Sequence, residues 1–301
     1  METSAPQSQM TALLSNEVLA RVERLRINSR HRFTNRTRGE HLYGKGGSSN
    51  EFSDYRDYVE GDDVRYVDWN IFSRLHRPYL KLYHHEEEMH IVMLVDASSS
   101  MLFEDKLLRA KQLAAAFAVM GLFSTERVSC YAFTGIDGDM PILPPCAGRG
   151  SMSKVFRFLE DIEGGGDAPL EVGITNLLKR HRGRGVVVLL SDFLTYKDLT
   201  PALNRLFSKG LEIFAVQILG PRETDPDISS DLRLVDCEVG GTLDVSAVGD
   251  LLSIYHEYLL AYARNLELMC QQRSGKFVSI GSTDSIAHVM FDLLRRKGWV
   301  V

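Results

Sequence analysis

The sequence predicts an α/β protein built on a doubly wound, mostly parallel sheet, with a helical and β-rich region ahead of it. Three observations carry this expectation. Ile91-Val92-Met93-Leu94-Val95 and Val186-Val187-Val188-Leu189-Leu190 are short, uninterrupted apolar runs, as expected of strands buried on both faces. Segments with helical spacing alternate with further strands, which implies parallel crossover units with helices on both faces of one sheet. Both apolar runs end at an acid, Asp96 and Asp192.

The elements follow in order. Leu14, Val18, Val22 and Leu25 fall on one face of a helix within residues 11–30. Arg21, Arg24 and Arg26 lie largely off that stripe, and Arg30, His31, Arg32, Arg36 and Arg38 continue the basic character. This reads as a solvated face that pairs with the acids downstream, the alternative being a docking surface for an acidic partner. Residues 51–90 are rich in aromatics and acids, and the alternation through Tyr79, Lys81 and Tyr83 predicts a strand. After the run to Asp96, a helix is expected from Glu104 to Phe123, with Leu107, Leu113, Phe117 and Met120 inward.

Val128 to Phe133 reads as a strand and Pro141 to Leu143 as a short partner, reached through the turn Gly135 to Asp139. Helices are expected over Ser151 to Ile162, Leu170 to His181 and Leu199 to Ser208, and a strand over Leu211 to Leu219. Leu232 to Val245 looks like a hairpin around Gly240-Gly241. A long helix follows, with Leu252, Tyr255, Leu259, Tyr262, Leu266 and Met269 on one stripe. Phe277 to Ile280 is a last strand and Ser285 to Arg296 a last helix. The expected division is a tail over 1–12, an accessory region over 13–88, and the α/β domain over 89–301 with the hairpin inserted near 230–246.

Composition bounds the function. With 301 residues, 44% hydrophobic and 25% charged, the chain can bury a substantial core without disulfides. A formal net charge of -5 gives no global pointer to nucleic acid. Cys130, Cys146, Cys237 and Cys270 have neither metal-ligand nor redox spacing; Cys130 and Cys270 sit in apolar patterns and are expected as buried thiols of a reducing compartment. The polar stretch Met1 to Met10 lacks an apolar signal core, and no apolar run reaches membrane-spanning length. A cytoplasmic protein without an integral membrane segment is the expectation.

Gly39 to Lys45 fits the first seven positions of a phosphate loop, but Gly46 stands where Ser or Thr should reach magnesium. A basic polar run precedes it where a strand should, so nucleotide binding is rejected.

Chemistry concentrates at the two acids. In an open α/β sheet, ligands bind outside the carboxyl ends of the strands at the topological switch point. If the two strands are neighbours, Asp96 and Asp192 face one crevice. Hydroxyls follow Asp96 at Ser98 and Ser100, and oxygen atoms at alternate loop positions can wrap a small hard cation. The arrangement resembles the metal-ion-dependent adhesion site of von Willebrand factor A domains. Glu51-Phe52, Tyr55-Arg56, Tyr58, Gly61-Asp62-Asp63, Arg65, Asp68-Trp69, Arg74, Glu86-Glu87-Glu88 and Ser191-Asp192-Phe193 narrow it further. They look like the signature of the domain of unknown function 58 family, over roughly residues 13 to 297.

The resemblance implies a von Willebrand factor A-like, Rossmann-type domain. Its metal ligands would be Asp96, Ser98, Ser100 and Asp192, holding Mg²⁺ or Mn²⁺. Within Gly166-Asp167-Ala168-Pro169-Leu170 the chain departs from the family, because Ala168 takes the position of a Thr ligand. Asp167 stands beside it as a substitute donor, directly or through water; the alternative is a vestigial site that holds water. The resemblance also implies a bacterial, non-enzymatic partner of a MoxR-type AAA+ ATPase in protein assembly or maturation. In such sites a partner protein supplies a carboxylate to the metal.

The enzyme alternatives need residues that this chain does not place in the required pattern. A phosphohydrolase of the haloacid dehalogenase type needs a second acid two residues after the first, where this chain has Ser98. There is no Gly-x-Ser-x-Gly elbow. His84, His85 and His90 fit no zinc-protease order, and His181 and His256 are expected on helix surfaces. In the Asp62, Asp63, Arg65, Asp68 and Trp69 cluster, Arg65 and Asp68 read as internal polar partners and Trp69 as core.

Overall fold

The computed structural model describes residues 9–29, 34–35, 52–83, 85–86, 89–134, 140–167, 169–195, 197–226, 232–235, 242–245 and 251–301. The glycine-rich stretch 39–50, Arg30, His31, Arg32, Arg36, Arg38, His84, the turn 135–139, Ala168 and Gly240-Gly241 lie outside them. The chain forms two compact units, residues 32–88 and residues 1–31 with 89–301.

In chain order the elements begin with α1 (Asn16–Val22), β1 (Thr34–Asn35), β2 (Phe52–Asp57), α2 (Trp69–Leu75), β3 (Tyr79–Tyr83), β4 (His85–Glu86) and β5 (His90–Asp96). Then come α3 (Lys106–Phe123), β6 (Arg127–Phe133), β7 (Ile142–Cys146), α4 (Met152–Glu160), α5 (Leu170–Arg180), β8 (Gly185–Ser191), α6 (Thr200–Ser208) and β9 (Leu211–Leu219). The chain ends through α7 (Pro221–Thr224), β10 (Leu232–Val235), β11 (Thr242–Val245), α8 (Leu251–Gln271), β12 (Lys276–Gly281), α9 (Ile286–His288) and α10 (Leu294–Arg296).

In the smaller unit, β2 pairs antiparallel with β3, and β1 with β4. Asp68 starts α2: its Oδ1 accepts the amides of Asn70 at 2.9 Å and Ile71 at 3.2 Å. This N-cap satisfies donors that the helix start leaves open. The other oxygen, Oδ2, takes the Tyr55 hydroxyl at 3.2 Å and the Lys81 ammonium at 3.1 Å. Two expectations are corrected. Asp68 is the internal polar partner expected, but Arg65 lies on the exposed surface, where it pairs with Asp63. Trp69, the first residue of the capped helix, is 60% exposed and meets Phe72 edge to face.

The larger unit holds a six-stranded sheet in the order β12-β9-β8-β5-β6-β7. All neighbours are parallel except β6 and β7. Alternation along β5 divides the core: Ile91, Met93 and Val95 face one side with Leu113, Phe117 and Met120 of α3. Val92 and Leu94 face the other, with Ile174 and Leu177 of α5 and Leu203 and Leu206 of α6. The sequence division had grouped the N-terminal helix with residues 13–88; α1 belongs to the larger unit and packs on α3.

Three local departures have physical causes. The helix expected from Glu104 starts at Lys106, because Glu104 and Asp105 both take positive φ, +50° and +59°. The last helix is interrupted by a π turn over Val289–Leu293, which keeps Val289, Met290 and Leu294 buried. His181, expected on a surface, is buried just past α5, edge-on to His90 at 5.1 Å between ring centroids. The expected burial of Cys130 and Cys270 holds, and burial pushes both thiols up, Cys270 to about 12.

Candidate functional site

The chain runs outward from β5 through β6 to β7, then returns to the other side of β5 as β8. The switch point of the sheet therefore lies between β5 and β8, where an open sheet offers its ligand crevice. Asp96 is the last residue of β5 and Asp192 follows the last residue of β8. The two acids thus stand at the carboxyl ends of adjacent parallel strands.

Their surroundings differ. Asp96 is buried; its Oδ1 accepts the Ser98 amide at 3.0 Å and its Oδ2 the Ser191 hydroxyl at 2.6 Å. Burial, reinforced by the charge of Asp192, pushes its pKa up to about 7 against the pull of the Ser191 and Ser98 hydrogen bonds. Asp192 Oδ1 accepts the Leu194 amide at 3.1 Å, and Oδ2 meets the Lys106 ammonium at 2.9 Å. Ser98 Oγ and Ser100 Oγ lie 3.0 Å apart, the first buried and the second partly exposed.

The second loop lies against the first. Ala97 O accepts the Gly165 amide at 2.7 Å, and the Ser99 amide donates to Gly166 O at 2.8 Å. Gly165 and Gly166 both have positive φ, +144° and +78°, a conformation that favours glycine. Asp167, next in the chain, is exposed. Phe193, directly after Asp192, is buried at φ +56°, a cost that a neighbourhood must over-determine. Its amide donates to Ser191 Oγ at 3.0 Å, and its carbonyl accepts the Tyr262 hydroxyl at 2.5 Å.

Every donor of the expected site is an oxygen, and hard oxygen donors suit Mg²⁺ or Mn²⁺. The residues present fit such an ion through Ser98, Ser100 and Asp96, with Asp192 available once it parts from Lys106. Among the described residues no three His, Cys, Asp or Glu side chains form a metal cage, so any ion relies on the hydroxyls.

Sequence reasoning missed Lys106 and Glu223. Lys106 is wholly buried at the start of α3, and its ammonium bridges Asp192 to Glu223 of α7. Burial alone would lower its pKa, but the two carboxylates hold it above the ordinary lysine value. The signal for Lys106 was legible: with Ala110, Leu113 and Phe117 it lies on one helical stripe, all buried. Nothing in the sequence points to Glu223.

Known proteins were compared with the chain. It is 29% identical over 208 residues to an uncharacterized protein of Mycobacterium bovis, and the match covers 67% of this chain and 65% of that protein. An uncharacterized protein of Mycobacterium tuberculosis matches with the same figures, so the chain spans 65% of the length of these relatives. Among solved structures, BatB from Bacteroides thetaiotaomicron is 16% identical at a TM-score of 0.44, covering 70% of this chain and 98% of that one. The SpRpn10 VWA domain is 14% identical at a TM-score of 0.38, covering 66% of this chain and 92% of that one. Among the described residues no helix is long and apolar enough to cross a membrane. The family described as "Protein of unknown function DUF58" matches residues 54–263, a narrower span than 13–297 but well over half the chain. The chain therefore belongs to the DUF58 family.

Proposed function

We propose that the chain is a protein-interaction module whose crevice between β5 and β8 receives a carboxylate from a partner protein through a divalent ion. The observation that carries this is the meeting of Asp96 and Asp192 at the sheet's switch point, with the Ser98–Ser100 hydroxyl pair beside Asp96. Ser98, Ser100, Asp96 and Asp192 are the proposed ligands, with exposed Asp167 in reserve on the second loop. The bound ion would supply a positive charge for an anionic partner. Mg²⁺ suits the oxygen donors, and Mn²⁺ shares that preference.

Recognition is favoured over catalysis because Ser98 stands two residues after Asp96, where a phosphohydrolase of the haloacid dehalogenase type would need its second acid. The partner class, a MoxR-type AAA+ ATPase engaged in protein assembly or maturation in the bacterial cytoplasm, is proposed from the family resemblance.

The test pairs two measurements on the full chain: binding to a candidate ATPase with and without chelator, and calorimetric titration with Mg²⁺. Metal-dependent binding that disappears in Asp96→Ala, without turnover of phosphate esters or peptides, is the expected result. Robust turnover lost in Asp96→Ala would replace this reading with a metal-dependent hydrolase. A second reading, a metal-independent scaffold, is favoured by one observation: Lys106 already neutralises Asp192. Partner binding indifferent to chelator would select it.

A further inference from the structure

Lys106 has no solvent exposure, and it opens α3. A helix start carries partial positive charge and disfavours a cation, and an ammonium taken out of water must be paired to be tolerated. The chain meets both costs with two carboxylates from distant segments: Asp192 Oδ2 at 2.9 Å and Glu223 Oε1 at 2.5 Å. The two are not equivalent. Asp192 is an expected metal ligand, and its other oxygen is taken by the Leu194 amide. Glu223 is anchored independently of the crevice, since its Oε2 accepts the Gly220 amide at 2.7 Å.

We infer that Lys106 is an internal competitor for Asp192, setting how strongly the crevice takes a divalent ion, with Glu223 keeping the ammonium when Asp192 is given up. This rests on the metal reading above. A fixed ammonium in ion-pair contact with one ligand opposes a cation both by repulsion and by occupying that ligand's oxygen. Glu223 lowers the cost of separating the pair, because Lys106 then stays paired. The crevice is accordingly a weak site by construction, loaded only when metal is abundant or when a partner's carboxylate adds to its ligands.

The experiment is calorimetric titration of the full chain with Mg²⁺, and separately Mn²⁺, in four forms: wild type, Glu223→Gln, Lys106→Met/Glu223→Gln, and the latter with Asp192→Asn. The Lys106→Met/Glu223→Gln form has the wild-type net charge, which removes a general charge effect. It should bind about tenfold tighter than wild type, the scale of coupling between close buried charges. Adding Asp192→Asn should erase that gain. Glu223→Gln alone leaves the Lys106–Asp192 pair in place and should bind more weakly than wild type. Wild-type or weaker affinity in the charge-neutral form would overturn the inference and leave the metal reading standing, as would a gain that survives Asp192→Asn. If that form does not fold, unchanged or tighter binding by Glu223→Gln overturns it. Absence of binding by every form at millimolar metal would sink the metal reading itself, and the competition with it.

Discussion

The hydroxyl of Ser191 donates to Asp96 Oδ2 at 2.6 Å, joining the carboxyl ends of two adjacent parallel strands by one side-chain contact. Ser191 Oγ in turn accepts the Phe193 amide at 3.0 Å. One small side chain thus satisfies a buried carboxylate and steers the chain into its positive-φ residue. Ser191→Ala removes both bonds and leaves Asp96 partly unsatisfied. The expected loss is about 1–3 kcal/mol of stability, read as a lower urea midpoint with an unchanged slope. A midpoint equal to wild type would mean that Asp96 finds another donor.

Gly185 opens β8 at φ +155°, and an added Cβ would stand 1.9 Å from the carbonyl oxygen of His90. That atom belongs to the backbone of the neighbouring strand and cannot swing aside. Gly185→Ala should cost about 1–3 kcal/mol from backbone strain alone, and more from prying β5 and β8 apart. Thermal unfolding checks it; a variant within experimental error of wild type would contradict the close approach.

Trp299 is buried and meets the Phe214 ring at 4.8 Å. Beside it, Val301 and Arg26 exchange backbone hydrogen bonds at 2.9 and 3.0 Å. Trp299→Ala should destabilise by about 3–5 kcal/mol, as for other large buried aromatics. Faster amide exchange at Arg26 and Asn28 should accompany the loss; protection there that matches wild type would show the two to be independent.

His181 gives the acid side of the stability profile. Burial, aided by His90, lowers its pKa from 6.5 to about 4. The folded protein keeps the imidazole neutral where the unfolded chain would already protonate it. This contribution is complete above pH 6.5, shrinks as pH falls and is gone below about pH 4. His181→Phe, apolar and of similar shape, should flatten the pH dependence of the unfolding free energy across that window by on the order of 2 kcal/mol. Parallel curves for the two proteins would contradict the burial.

The sheet was legible because its strands carry the strongest signal a sequence offers: runs such as Val186 to Leu190 fit little else at that length. The position of Asp96 and Asp192 followed from the ends of those runs. What surrounds them was not legible, because the partners come from far along the chain. Glu223 reaches Lys106 across 117 positions, and only packing brings them together. Trp69 was misread for a different reason. A large aromatic beside an acid suggests core, whereas Asp68 is used as a helix cap and sends the next residue outward.

Two tyrosines of α8 hold the loops that flank the crevice: Tyr262 donates to Phe193 O and Tyr255 to Glu223 O. They are seven positions apart on one uninterrupted helix, a span of about 10 Å at the rise of an α-helix. The helix therefore acts as a ruler, fixing the separation of the Asp192 loop from the turn that carries Glu223. The measure is digital. Deleting one residue between the tyrosines would swing one hydroxyl by about 100° around the axis, so the gap between the two loops admits no small adjustment in length.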